Sequence, residues 1–243
     1  MIIKKLVKVL CGRSRIMKNR KRLLLLLLVM AMTFMFSNAI TVEAASTKST
    51  KKWATAYMKI VKKMNKESKK QKPSSYFDNT YKYDLIYFNN DKTPELVVGV
   101  DGYWVSMYTY NKKTNKVYTL MDKWGYGVGG NTGYTYIPKK NYLENWNSDY
   151  AGAVRYVYTA KMQNNKLVNR HKKSLAIYHF KDKNGNTFPD SNEYLKNPHY
   201  YYGDKKISKK KFNSYLKSGN KKMIQGTMSY SAMKKKLKAK GAK

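Results

Sequence analysis

The stretch with the most ligand-like spacing is DKNGNTFPDSNE, Asp182 to Glu193. Its oxygen-bearing side chains recur as they do in a twelve-residue calcium loop. In that reading Asp182, Asn184 and Asn186 supply one oxygen each. Phe188 gives its carbonyl, Asp190 a direct or water-mediated oxygen, and Glu193 a bidentate carboxylate. Three features oppose the reading. Thr187 stands where the sharp turn wants glycine, Pro189 stands where a hydrophobic residue is usual, and the preceding SLAIYHF reads as a strand. The same letters make an Asn-Gly hairpin turn, and the departures favour the turn. Calcium here is the one cofactor that the sequence offers.

A second pattern is GYGVGG, Gly125 to Gly130, which fits GxGxxG. A dinucleotide site needs a helix directly after such glycines, with its N-terminus on the pyrophosphate. Asn131, Gly133 and Pro138 prevent that helix, so nucleotide binding is rejected. Around the glycines stand Trp124, Tyr126, Asn131, Tyr134, Trp146 and Asp149. Aromatic faces beside amides and a carboxylate suit a glycan or peptide ligand. The competing reading is that these rings pack a glycine-rich loop, Trp124 to Pro138, onto a sheet.

Catalytic patterns are absent from the sequence. His171, His179 and His199 form no metal-ligand spacing, and no GxSxG elbow or Ser-Lys motif occurs. A glycosidase needs two opposed carboxylates. Glu95 with Asp101 or Glu144 is the pair it would draw on, and nothing in their spacing supports it. No catalytic residue is expected. An extracellular hydrolase with dispersed catalytic residues stays open as an alternative.

The elements that must position these residues begin with an N-terminal leader. KNRKR (Lys18 to Arg22) precedes the uncharged LLLLLLVMAMTFMF, and Val42 and Ala44 suit cleavage after Ala44. That is the three-part pattern of a secretory signal peptide, expected over 1–44. The alternative is an uncleaved signal serving as a membrane anchor, although the apolar run is shorter than the ~20 residues of a spanning helix. No membrane span is expected after cleavage. The product is expected to be secreted, extracellular or associated with the cell envelope.

Cys11 is the only cysteine and lies in the leader. Disulfides, thiolate zinc sites and cysteine catalysis are therefore excluded from the mature chain. The whole chain has 50 basic and 14 acidic residues, and the mature part keeps 41 and 13, a formal net charge of about +28. Such a surface attracts polyanions. After the leader arginine is confined to Arg155 and Arg170. Planar, bidentate reading of phosphates and bases favours arginine, so sequence-specific nucleic-acid recognition is not expected.

A polar tail, 45–52, leads into a helix. Trp53, Ala56, Tyr57, Ile60, Val61 and Met64 recur at helical steps between lysines, with Ser49 or Thr50 as cap and KKQKPSS as its end. From Tyr83 to about Tyr202 the texture is β. Strands are expected near 83–88, 95–100, 103–110, 116–121, 153–162, 166–169 and 174–181. The segments 107–120 and 157–170 align as two similar hairpins of one antiparallel sheet. Ser208 caps a short helix that Gly219 ends, and Ser231 starts a last one closed by Gly241. The expected fold is a single α+β domain over 53–243, with an N-terminal amphipathic helix, a mostly antiparallel sheet of hairpins and short C-terminal helices.

The segments YDLIYFNNDKTPELVV, YGVGGNTGY, NSDYAG and YYYGDKKISKKKFNSYL together resemble a group of secreted proteins of gut-type Gram-positive bacteria that carry a DxDxDxxPEL segment. The PEL segment distantly resembles the calcium loops of FG-GAP repeats, in which acids at alternate positions hold the ion. Here those positions are Tyr87, Asn89 and Asp91, and Lys92 replaces the usual glycine. The resemblance implies a secreted α+β domain and brings no activity with it. The first functional expectation is thus a non-enzymatic secreted protein, held by its lysines to an anionic cell-wall or extracellular polymer. The alternative binding class is a calcium-stabilised extracellular module.

Overall fold

The structure, a computed structural model, describes residues 52–72, 79–180 and 194–242. The expected leader, the cap candidates Ser49 and Thr50 and the calcium-loop candidate Asp182 to Glu193 lie outside them. The fold is α+β and mostly antiparallel. Helix α1 spans 52–68. A four-stranded meander follows: β1 (Lys82–Ile86), β2 (Glu95–Val100), β3 (Trp104–Asn111) and β4 (Lys116–Gly125), ordered β1-β2-β3-β4.

The second sheet takes β5 (Asn131–Tyr136), β6 (Leu143–Asp149), β7 (Val154–Gln163), β8 (Lys166–Asn169), β9 (Leu175–Phe180), β10 (Tyr194–Tyr202), β11 (Lys205–Ile207) and β12 (Lys222–Met223). Its order is β11-β10-β9-β7-β6-β5-β12. Strand β7 forks: Val154–Val157 pair with β9, whereas Ala160–Gln163 pair with β8. Helices α2 (Lys209–Tyr215) and α3 (Tyr230–Ala239) complete the chain.

The layers follow from side-chain alternation. On β2, Leu96, Val98 and Val100 pack with Trp53, Tyr57, Val61 and Met64 of α1 and with Met233 and Leu237 of α3. Val97 faces the other way and joins Val105, Met107, Leu120 and Met121 against Tyr136, Leu143 and Ala160 of the second sheet. All six residues of β2 are buried, as a strand covered on both faces requires. On the far face of the second sheet, Phe212 of α2 packs with Val157, Leu175 and Ile177. The result is four layers, α1 and α3, sheet, sheet, α2. Tyr57 ties the first two together: its hydroxyl donates to the carbonyls of Pro94 (2.9 Å) and Tyr108 (3.2 Å).

Three expectations need correction. The two similar hairpins do not share a sheet. Residues 107–120 build β3 and β4, and 157–170 build β7 and β8 in the facing sheet. They meet where the Asn111 amide donates to Asn165 Oδ1 (3.1 Å). Their common letters reflect turn chemistry, since the aligned Asn115 and Asn165 both adopt positive φ, 55° and 59°. The stretch Trp124 to Pro138 is not one loop: β4 runs through Trp124, and β5 begins at Asn131. The last helix is capped by Ser229 rather than Ser231; its hydroxyl accepts from the Ala232 N–H. Ser208 caps α2 as expected, accepting from the Lys211 N–H.

Candidate functional site

The polar centre between β1 and β2 is closed on itself. Asn89 Oδ1 accepts from the Asp91 N–H (3.0 Å), and Asp91 Oδ1 accepts from the Thr93 N–H (2.8 Å). The Asn89 amide donates to Asp91 Oδ2 (3.0 Å), and the Lys112 ammonium donates to the Asp91 carbonyl (2.9 Å). Lys92 takes φ 65°. The oxygens at these positions thus serve an Asx turn.

Glu95, next to this turn, is fully buried. Its Oε2 accepts from the Phe88 N–H (2.9 Å), and its Oε1 lies 3.3 Å from the Thr109 hydroxyl. Loss of hydration pushes its carboxyl up to about 8, with a smaller push from Asp91 and opposing pulls from these hydrogen bonds. At neutral pH it is largely an uncharged acid inside the protein.

The six ligand-binding candidates are not brought to one place. Trp124, Tyr126 and Tyr134 belong to the layer between the sheets, with Trp124 and Tyr134 ring centroids 5.3 Å apart. Asn131 is committed to the backbone. Its amide donates to the Gly125 carbonyl (3.0 Å), and its Oδ1 accepts from the Gly133 N–H (3.0 Å) and the Asn145 amide (2.7 Å). Trp146 lies on the opposite face of the second sheet, against Phe212, with the Arg155 guanidinium 4.8 Å from its ring. Asp149 accepts from the Tyr150 N–H at the start of a 3-10 turn. The GxGxxG glycines make the β4–β5 turn. Gly127 (φ 91°) and Gly130 (φ 81°) lie so close to the Gly102 and Ser148 carbonyls that a Cβ would collide with them.

The densest polar cluster was not anticipated, and it is built on β6. Glu144, buried to 2 % exposure, points to the outer face of the second sheet beside Trp146. Its Oε1 accepts from the Trp146 indole N–H (2.7 Å) and the Lys221 ammonium (2.6 Å), and its Oε2 accepts from the Tyr142 hydroxyl. Burial, and then the bond to Glu144, push the Tyr142 hydroxyl above the ordinary tyrosine range. Arg170 and Lys217 lie over the Tyr142 ring at 5.2 and 5.9 Å. Burial, with the charges of Arg170 and Lys140, holds the Lys217 ammonium below its usual range. The signal that could have found this cluster is Tyr-x-Glu-x-Trp at strand spacing, three residues on one face. Glu95 and Glu144 sit in different sheets and each is enclosed, so they do not line a common cleft.

Aromatic surface with room beside it occurs elsewhere. A cavity of about 270 Å³ is lined by Tyr81, Tyr103, Trp104, Gln71, Asn79 and Lys123. The Lys123 ammonium lies 5.3 Å from the Trp104 ring centroid and pairs with Glu67 at 2.8 Å.

The outer layers carry the charge. On α1 the lysines are Lys52, Lys59, Lys62, Lys63 and Lys66; on α2 Lys209, Lys210 and Lys211; on α3 Lys234, Lys235, Lys236 and Lys238. Glu67 is the single acid among the described helical residues, and it is paired to Lys123. Other acids are also engaged: Glu144 with Lys221, and Asp84 at 3.8 Å from Lys236. Among the described residues no group of three His, Cys, Asp or Glu side chains is placed to hold a metal ion, and no helix is long and apolar enough to cross a membrane. Comparison of the chain with protein-family models, curated proteins and solved structures finds no match.

Proposed function

We propose that this is a secreted, non-enzymatic protein that associates through its lysine-rich outer layers with an anionic polymer of the cell envelope or extracellular space. The observation that carries the reading is the charge pattern of the three helices. Lys209, Lys210 and Lys211 fill the first turn of α2, and no helix has an acid in its described first turn. The cations in the first turn of α2 oppose its dipole, and the lysines of α2 and α3, which have no (i, i+4) acids, repel one another. Mere solubility needs no such arrangement, because acids would serve as well. A bound polyanion relieves both costs.

Retention on purified cell walls is expected to be strong at low salt and to collapse between about 0.05 and 0.5 M, as exposed charges are screened. Retention that ignores salt, or no retention, overturns the reading. The alternative, a calcium-stabilised module with Asp182, Asn184, Asn186, Phe188, Asp190 and Glu193 as ligands, is separated by calorimetric titration. Saturable heat at millimolar calcium supports it, and no heat removes it.

A further inference from the structure

The fork in β7 leaves a gap in the second sheet. Toward Gln163 the strand pairs with β8, and toward Val154 it pairs with β9. The connection between β8 and β9 passes over the fork, held where the Arg170 N–H donates to the Thr159 carbonyl (3.0 Å). Beside it is a cavity of about 260 Å³, lined among others by Thr159, Asn169, His171, Lys172, Lys173 and Ser174.

Three observations define what this cavity suits. Among the described residues its lining contains no carboxylate, but it has two ammonium groups, an imidazole, an amide and hydroxyls. Thr159 is 4 % exposed, and its hydroxyl is buried without a protein hydrogen-bond partner. A buried donor of this kind is normally satisfied, and with the lysines beside it an anion satisfies it; Glu144, which faces Thr159 across β6 and β7, is already held by three donors of its own. The volume is below the roughly 300–1,000 Å³ of pockets that enclose drug-sized ligands. It has room for a phosphate group and a small polyol attached to it. Among the described residues the exposed large hydrophobic ones, Tyr87, Tyr103, Val128 and Tyr150, do not line it.

We propose that the β7 fork is a phosphate-binding site that seats one phosphodiester group of an extracellular polymer, with Thr159, Lys172 and Lys173 around the phosphate oxygens. The polymer assignment rests on the function proposed above; the phosphate site itself does not. The Nε2–H of His171 donates to the Tyr215 carbonyl at 3.0 Å, so this ring forms part of the cavity wall rather than a phosphate donor. The helices hold the polymer by charge, and the fork selects for phosphate among anions.

Inorganic phosphate titrated into the mature protein at fixed ionic strength, followed by calorimetry, tests the site. One saturable event per chain is expected. Thr159→Val, which keeps the side-chain shape, is expected to weaken it about tenfold, the scale of a lost hydrogen bond to a charged group. The exposed pair Lys172→Gln/Lys173→Gln is expected to weaken it by a similar factor without affecting the core. Lys62→Gln/Lys63→Gln/Lys66→Gln on α1 is expected to leave phosphate binding unchanged while reducing cell-wall retention. Absence of saturable heat, or equal binding by the fork variants and the parent, overturns the site even if salt-sensitive wall retention persists. Fork-dependent phosphate binding without wall retention supports the site and removes only the surface reading. Poly(glycerol phosphate) and phosphatidylglycerol vesicles separate the sources. Fork-dependent binding to the polymer supports the assignment, and fork-dependent binding to vesicles alone overturns it.

Discussion

Glu95→Gln is expected to remove most of the pH dependence of stability between about pH 4.5 and 8. The ordinary value of the group is 4.5, and burial pushes it to about 8 in the folded protein. Below the lower value the folded and unfolded chains both hold the proton, and the contribution of the neutral acid is fully present. As pH rises through the window, the unfolded chain releases its proton while the folded chain keeps it. Stability therefore falls with rising pH, by at most about 1.4 kcal/mol per unit. Above the folded value the loss is complete. Glutamine can fill the site, with its carbonyl accepting from the Phe88 N–H and its amide donating to Thr109 Oγ1. The variant should match the parent near pH 4.5 and exceed it by a few kcal/mol at pH 8. The histidines are common to both proteins, so the difference between their urea midpoints at pH 4.5, 6 and 8 isolates Glu95. Parallel pH profiles would sink the assignment.

What was legible in the sequence depended on whether burial matched periodicity. Helix α1 was legible because Trp53, Tyr57, Val61 and Met64 are both helically spaced and buried. The strands β2, β3, β7 and β8 were legible because Val, Leu, Met, Thr and Tyr recur in them. Strand β6, in LENWNSD, was not, because its buried positions include Asn145 and Glu144. A strand that buries polar side chains shows no apolar alternation. Its partners come from afar, and Lys221 reaches Glu144 across 77 residues. The division into two facing sheets was hidden for a similar reason. Whether β4 turns back into its own sheet or crosses to another is decided at Gly127 and Gly130, by close backbone contacts. Among the ligand candidates, Trp124 and Trp146 are separated because Trp124 packs between the sheets whereas Trp146 faces α2 on the far side of the second sheet.

The second large effect concerns Glu144. Replacing it with alanine removes the acceptor for the Tyr142 hydroxyl, the Trp146 indole N–H and the Lys221 ammonium at once. Tyr142 is fully buried, so its hydroxyl cannot turn to water. Its remaining contact, from the Lys217 N–H at 3.2 Å, uses the oxygen as an acceptor and leaves the proton unplaced. Removing one member of a buried ion pair typically costs 3–5 kcal/mol. Lys221 is 33 % exposed and can swing into water, which reduces the cost of its own unpairing. Glu144→Ala is therefore expected to destabilise by about 2–4 kcal/mol, mostly through the unsatisfied tyrosine and tryptophan donors. Lys221→Met should cost less, since Glu144 keeps two donors. The order of the two variants is the discriminating result. If denaturant unfolding shows Lys221→Met to be the costlier, the cluster is held by its ion pair, and the aromatic donors are secondary. If Glu144→Ala costs under about 1 kcal/mol, less than a single net hydrogen bond, the carboxylate is not what anchors the segment after α2 to the second sheet.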